Sequence, residues 1–340
     1  MKTFSSLGVA APLVKALTDL KVTQPPEIQE KSIPLLLNKT IDFIGLAHTG
    51  TGKTAAFGLP LLQKIDGTSS TLQALVLVPT RELCQQVADQ LVSFVKYLPD
   101  LTIECIAGGA PIKPQIKALK EGAHVVVATP GRLLDLLRQD AVVLSKVKYL
   151  VLDEADEMLG LGFKDGLTEI VKNISQDHVT WLFSATIAGE VKQFVSQYMK
   201  NPEEVRINTE AAEKAAIRHQ YILIDPIEKF DILAHFLNTH EDGRGIIQKV
   251  AVQKLHKQLA VNRFSSGAIH GDLPQGLRDR VMDQFRAEQI KVLVASDVAA
   301  RGIDVEDLAF VVHYHLPEVA EVYTHRSGRT ARAGKSGISL

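Results

Sequence analysis

A chain of 340 residues is long enough for about two domains, each burying its own core, which excludes a peptide hormone or a disulfide mini-protein. With 46% hydrophobic and 23% charged residues, a net charge of −1 and no apolar run near the ~20 residues of a membrane span, the composition excludes a disordered chain, a membrane-spanning helix and a histone-like coat of positive charge. Cys84 and Cys105 are the only cysteines, too few for a disulfide framework and without metal-ligand spacing, so a reducing, cytoplasmic setting is expected.

In chain order, the apolar start at Leu7 to Val14 is broken by Pro12 and closed by Lys15, a poor signal-peptide core. Short apolar runs then alternate with amphipathic stretches. Thr40 to Ala47, Gln73 to Val78, Thr102 to Ala107, Ala123 to Ala128, Lys148 to Leu152 and Val179 to Phe183 read as strands. Asn208 to Ala216 lacks apolar periodicity and reads as a linker. A second alternation follows, with strand candidates at Arg218 to Ile224, Gly243 to Ile247, Gly267 to Ile269, Ile290 to Ala295 and Leu308 to His313. Strands of this kind, spaced by helices, predict parallel sheets with helices on both faces. The simplest account is two α/β domains, 1–207 and 218–340, joined by 208–217. The stretch from Gly243 onward carries a modest basic excess, which is either a solvated surface or one turned toward a polyanion.

The strongest local signal is Ala47-His48-Thr49-Gly50-Thr51-Gly52-Lys53-Thr54, between a strand and a helix. Glycines let backbone N–H groups turn toward phosphate, Lys53 brings a point charge, and the Thr54 hydroxyl can ligate Mg²⁺. The P-loop pattern opens on Gly where this chain has Ala47, and a plain Gly-rich turn is the alternative. Asp153 and Glu154 follow Tyr149-Leu150-Val151-Leu152, at the strand end where open parallel sheets bind ligands. Beside a P-loop, Asp153 would hold Mg²⁺ through water and Glu154 would orient or deprotonate the attacking water. By itself such a pair also suits a helix N-terminus.

Other short motifs stand in a fixed order around these two. They are Pro25-Pro26-Glu27-Ile28-Gln29, Pro79-Thr80-Arg81-Glu82-Leu83, Gly108-Gly109, Thr129-Pro130-Gly131-Arg132, Asp153-Glu154-Ala155-Asp156, Ser184-Ala185-Thr186, Gln275 with Arg278, Ser296-Asp297 through Asp304, and His325 to Gly334. By these motifs the chain resembles the DEAD-box ATP-dependent RNA helicases over nearly its whole length. The resemblance implies an α/β fold of two tandem RecA-like domains, each a mainly parallel sheet flanked by helices, closing on ATP, Mg²⁺ and single-stranded or short duplex RNA. It implies a monomer without membrane attachment.

The resemblance assigns Gln29 to adenine, for which a carboxamide has a matching donor and acceptor. It gives Phe4 to base stacking, though a core anchor for the first helix fits equally. Thr49, Gly50, Thr51, Gly52, Lys53, Thr54, Gly302 and Asp304 would meet the nucleotide. Arg329 and Arg332 match finger arginines that stabilise charge on the transferring phosphate, although the same cluster also reads as a polyanion patch. Ser184 and Thr186 would link the acids to the domain interface, against a bare turn or helix cap. His325 would bridge that interface rather than bind metal.

For RNA, the matching positions are Pro79, Thr80, Arg81, Gly109, Thr129, Gly131 and Arg132, with Gly271, Gln275, Arg278, Ser296 and Asp297 in the second domain. Few are basic. Hydroxyls and backbone amides contact phosphate and ribose without reading bases, which implies sequence-independent binding. Three rivals are weighed: an ATP-dependent RNA clamp with little unwinding, a DNA-directed motor, and a small-molecule kinase, the last needing neither a second-domain arginine pair nor the intervening motifs.

Two places depart from the family. After Gly245-Ile246-Ile247 the family carries an aromatic and a polar turn that touches RNA, but here Gln248-Lys249-Val250 follows at once. A strand-to-helix connection takes about 2 to 6 residues, so missing residues are expected here. A final strand and helix normally complete the second domain, so the chain is expected to continue past Gly337-Ile338-Ser339-Leu340.

Overall fold

Runs of consecutive apolar residues cannot face water on either side, so they pair in parallel and bury both faces. The computed structural model describes residues 2–48, 50–187, 189–207, 217–241, 243–248, 251–296, 308–317, 320–331 and 336–340, and in them this pairing happens twice. The chain divides into two compact units, Met1–Asn208 and Thr209–Leu340.

The first unit carries β1 (Phe43–Leu46), β2 (Ala74–Leu77), β3 (Ile103–Ile106), β4 (Val125–Ala128), β5 (Tyr149–Leu152), β6 (Val179–Ser184) and β7 (Glu203–Arg206). Their order is β3-β4-β2-β5-β6-β1-β7, and every described pair is parallel. Central strands such as Ala74–Leu77 are buried at every residue, as unbroken apolar runs require. The helices that matter for the site are α1 (Ala11–Asp19), α2 (Glu27–Asn38), α3 (Lys53–Lys64), α4 (Arg81–Phe94), α5 (Ile112–Glu121), α6 (Pro130–Leu137) and α7 (Ala155–Gly160). The sequence reading missed β7, whose Glu203, Glu204 and Arg206 leave Val205 as its single apolar residue. Charge of that kind blunts an edge against further pairing.

The second unit carries β8 (Ile217–His219), β9 (Arg244–Gln248), β10 (Ser266–Ile269), β11 (Val292–Ala295), β12 (Leu308–His313) and β13 (Gly337–Ser339), in the all-parallel order β10-β11-β9-β12-β13-β8. The strand expected over Arg218 to Ile224 is shorter. Its neighbour β13 offers only three residues, and beyond the ladder Tyr221 is 84% and Leu223 90% exposed. Gly337–Ser339 is itself a strand, which the sequence reading did not foresee. β9 ends at Gln248 and the next helix starts at Val252; residues 249 and 250, where the departure from the family falls, lie outside the described residues.

Each sheet is closed around an aromatic ring that a strand glycine admits. A Cβ on Gly45 would lie 2.6 Å from Phe183 Cε1, and one on Gly245 would lie 2.0 Å from Phe310 Cε2. Phe183 in turn packs on Phe43 and Phe57, with centroids 5.6 and 5.3 Å away. Among the described residues no helix is long and apolar enough to cross a membrane.

Candidate functional site

In a parallel sheet every carboxyl end lies along one edge, and ligands bind there. The strand order of the first unit therefore sorts its motifs. Adjacent β1, β6 and β5 lead into the P-loop, Ser184-Ala185-Thr186 and the acidic tetrad; adjacent β2, β4 and β3 lead into Pro79-Thr80-Arg81, Thr129-Pro130-Gly131-Arg132 and Gly108-Gly109. One edge carries two groups side by side.

The P-loop turns on glycines at positive φ, 81° at Gly50 and 88° at Gly52, a conformation that costs other residues but not glycine. Thr51 donates its hydroxyl to the His48 carbonyl at 2.7 Å, and α3 starts at Lys53. Gln29, buried on α2, donates its Nε2 to the Gly52 carbonyl at 2.9 Å, while its Oε1 is buried without a hydrogen-bond partner. The adenine-reading candidate is thus packed on the P-loop, with one amide group committed and its acceptor unpaired. Thr54 lies in the first turn of α3, and Thr49 lies outside the described residues.

Lys53 Nζ stands 3.9 Å from Asp153 Oδ1, both buried. Burial pushes the Asp153 carboxyl up to about 6, with Glu154 and Asp156 adding to the rise and Lys53 opposing it. Glu154 adopts a left-handed backbone (φ 53°, ψ 50°), and its N–H donates to Asp153 Oδ1 at 3.0 Å. Its Oε2 is buried with no hydrogen-bond partner. Non-glycine residues hold such backbone strain where surrounding structure enforces it, often at functional sites. The donors here are oxygens, with two acids on one turn and an unpaired carboxylate oxygen. That set fits a hard cation completed by water and phosphate. Among the described residues no cluster of three or more His, Cys, Asp or Glu could hold a metal by itself.

Asp156 is the residue the sequence reading left without a role. Its Oδ2 accepts from the N–H groups of Ala185 and Thr186, each at 3.1 Å, and from the Thr186 hydroxyl at 3.3 Å. Ser184 donates its hydroxyl to the Thr186 carbonyl at 2.7 Å. The tetrad's last acid, not the first two, thus ties the Ser-Ala-Thr turn to the acidic helix. Phe4 also differs from one of its two readings. At 3% exposed it belongs to the apolar core with Leu7, Val9 and Leu13, so its ring anchors the first helix and offers no face to a base.

On the other group, Thr80 caps α4 by accepting the Leu83 N–H at 3.3 Å. Arg81 lies over Gly108, where a Cβ would come within 3.2 Å of its Nη2, and Gly109 has φ 87°. Arg132 donates Nη1 to Ala110 O at 3.1 Å and to Gln115 Oε1 at 2.8 Å, and Nη2 to Ala110 O at 3.1 Å. Its guanidinium fixes the glycine turn. Pro79 and Thr129 are buried at the strand ends, whereas nothing lies within 4 Å of a Cβ position on Gly131.

In the second unit, Gly271 follows β10 with equally open space, and Ser296 follows β11, donating its N–H to Ile269 O at 3.1 Å. Arg278 and Arg329 are only 8% and 5% exposed. Gly302, Asp304, Asp297 and Arg332 lie outside the described residues, as do the side chains of Gln275 and His325.

A family model described as DEAD/DEAH box helicase matches residues 26–194, and one described as helicase conserved C-terminal domain matches 228–334. The chain is 42% identical over 330 residues to the ATP-dependent RNA helicase DeaD of Escherichia coli K12, covering 96% of this chain and 52% of that protein. It is 40% identical over 340 residues to the ATP-dependent RNA helicase CshA of Limosilactobacillus reuteri, covering 99% and 68%. It thus spans about half the length of DeaD. Among solved structures, Dbp5 of S. cerevisiae bound to RNA and ADP BeF3 has a TM-score of 0.90 at 35% identity, covering 100% of this chain and 88% of that one. A DEAD box protein from Methanococcus jannaschii has a TM-score of 0.57 at 38% identity, covering 99% and 92%. With the motif residues gathered on one sheet edge, and relatives at this identity aligned over nearly every residue, the chain belongs to the DEAD-box family of ATP-dependent RNA helicases.

Proposed function

We propose that this protein hydrolyses ATP in response to RNA and uses closure of its two domains, 1–207 and 218–340 joined by 208–217, to bend one strand and open short duplexes. The observation that carries the reading is the sorted sheet edge, which holds phosphate-type and acid motifs beside a second group of glycine turns and hydroxyls. ATP would be held by Gln29 and the loop Thr49 to Thr54, with Gly302 and Asp304 from the second domain. Thr54 and Asp153 would hold Mg²⁺, whose chemistry is to neutralise charge on the phosphates. Lys53 adds a fixed positive charge in a dry site, where it counts for more than in water. Glu154 orients the attacking water and receives its proton at the unpaired Oε2. Arg329 and Arg332 stabilise charge on the transferring group. Ser184, Thr186 and His325 couple the two domains.

RNA would lie over Pro79, Thr80, Arg81, Gly109, Thr129, Gly131 and Arg132, and over Gly271, Gln275, Arg278, Ser296 and Asp297. Backbone and ribose contacts of this type make binding independent of sequence and selective for RNA over DNA. The protein acts as a cytoplasmic monomer in this reading. The test is ATP turnover with and without single-stranded RNA, where stimulation is expected and equal rates contradict the proposal. Glu154→Gln removes turnover while keeping ATP-dependent RNA retention; undiminished hydrolysis contradicts the role of Glu154. The departure from the family after Ile247 favours a second reading, an RNA clamp with little unwinding. A strand-displacement assay separates the two, and competition by DNA of equal length tests the preference for ribose.

A further inference from the structure

Cys84 and Cys105 are 21 residues apart in sequence, yet their Sγ atoms lie 3.2 Å apart. Cys84 is fully buried on α4, three residues beyond Arg81. Cys105 is partly exposed on the edge strand β3, three residues before Gly108. The Arg81 guanidinium packs over Gly108, so the two sulfurs sit one step behind two loops that already touch. We propose that Cys84 and Cys105 form a peroxide-responsive thiol pair whose disulfide locks α4 to β3 and weakens RNA binding at the loops they carry. The RNA part of this rests on the function proposed above; the thiol chemistry does not.

The two thiols are unequal. The shared hydrogen bond and, after it, burial push Cys84 up, and Val127 O at 3.2 Å offers its proton a second acceptor. The Cys84 contact pulls Cys105 down, against burial and the acids Asp89 and Glu104. Cys105, the more exposed and the more acidic of the two, is therefore the sulfur that a hydroperoxide reaches and that reacts as its thiolate form. Its sulfur takes the terminal oxygen as the O–O bond breaks, giving a sulfenic acid and releasing the alcohol, or water from hydrogen peroxide. The Cys84 sulfur then attacks the sulfenic sulfur. The S–S bond forms, the S–O bond breaks, and water leaves with the Cys84 proton. Two thiols are oxidised, one peroxide is reduced, and a dithiol reverses the step. Disulfides of reducing compartments are commonly transient sensors of this type.

A disulfide is about 2.05 Å long, so closure draws the sulfurs about 1 Å together and shifts the start of α4 against β3. Coupling in the ordinary range would lower RNA affinity about fivefold or more. By linkage, saturating RNA disfavours the disulfide by the same factor.

The test treats the full chain with hydrogen peroxide, follows the pair by intact mass and peptide mapping, and measures single-stranded RNA binding by fluorescence anisotropy with a non-hydrolysable ATP analogue. The expected result is an intramolecular Cys84–Cys105 disulfide, RNA affinity down about fivefold or more, and recovery of both with dithiothreitol. Cys105→Ser and, separately, Cys84→Ala, each checked for folding by thermal unfolding, should bind RNA normally and lose the peroxide response. The wild-type measurements stand without either variant. Thiols that stay reduced or go on to sulfinic acid would overturn the proposal, as would a disulfide that leaves RNA affinity unchanged. A reduced protein that fails to bind RNA contradicts the functional reading and the coupling with it, while the mass measurement still decides the disulfide.

Discussion

At the residue scale, burial decides how Asp153 behaves. A carboxyl held near 6 binds a proton more readily in the folded chain than in the unfolded one, whose value is 3.8. The contribution of this group to stability is therefore full below about pH 4 and is lost as pH rises through about 6. The unfolding free energy of Asp153→Asn should gain on the wild type by on the order of 2 kcal/mol between those limits and run parallel above them. Denaturant titrations of the nucleotide-free pair across pH 4 to 7 measure this, and a flat difference contradicts it. Ionised Asp153 is also the form that meets a cation, so kcat/KM for ATP, which reports the free enzyme, should fall on the acid side of about pH 6. Part of this was legible in sequence, because two acids after an apolar strand and beside a P-loop point to a phosphate site. What was not legible is the burial that sets the ionisation of Asp153, or which of its two readings Phe4 takes, since both depend on packing from distant segments.

At the element scale, the acidic helix and the Ser-Ala-Thr turn behave as one piece through Asp156. Asp156→Ala removes the three hydrogen bonds to the Ser-Ala-Thr turn, together with the one its Oδ1 accepts from the Glu157 N–H, and leaves the N–H groups of Ala185 and Thr186 without their carboxylate partner. A cost of about 1–3 kcal/mol is expected, read by urea unfolding, and an unchanged midpoint contradicts the role. The glycines make a paired prediction. Gly245→Ala drives a methyl into Phe310 and should cost about 1–3 kcal/mol by overpacking. Gly131→Ala, in the first turn of α6 with open space, should leave stability unchanged or raised while weakening RNA binding. Strand positions in the first unit followed from their unbroken apolar runs. The exceptions have little pattern to show: β7, which the sequence reading missed, has one apolar residue, and β13, also missed, and β8, foreseen as longer, are three residues each, too short to carry a period of two. The Cys84–Cys105 contact was hidden for a different reason, since nothing at a spacing of 21 residues announces that a helix turn and an edge strand will meet.

At the scale of the whole molecule, the order of the motifs along the chain carried the family, and the sheet order explains why they belong together. Loops scattered from Pro79 to Thr186 share one edge because parallel strands all end on the same side. The account's central claim is that RNA and ATP favour the same closed state, so each must tighten the other by an equal factor. The most direct test uses Glu154→Gln, which holds ATP without consuming it, and measures RNA affinity with and without ATP, then ATP affinity with and without RNA. The account predicts a gain of about fivefold or more in both directions and of the same size. Equal RNA affinity with and without ATP would contradict it.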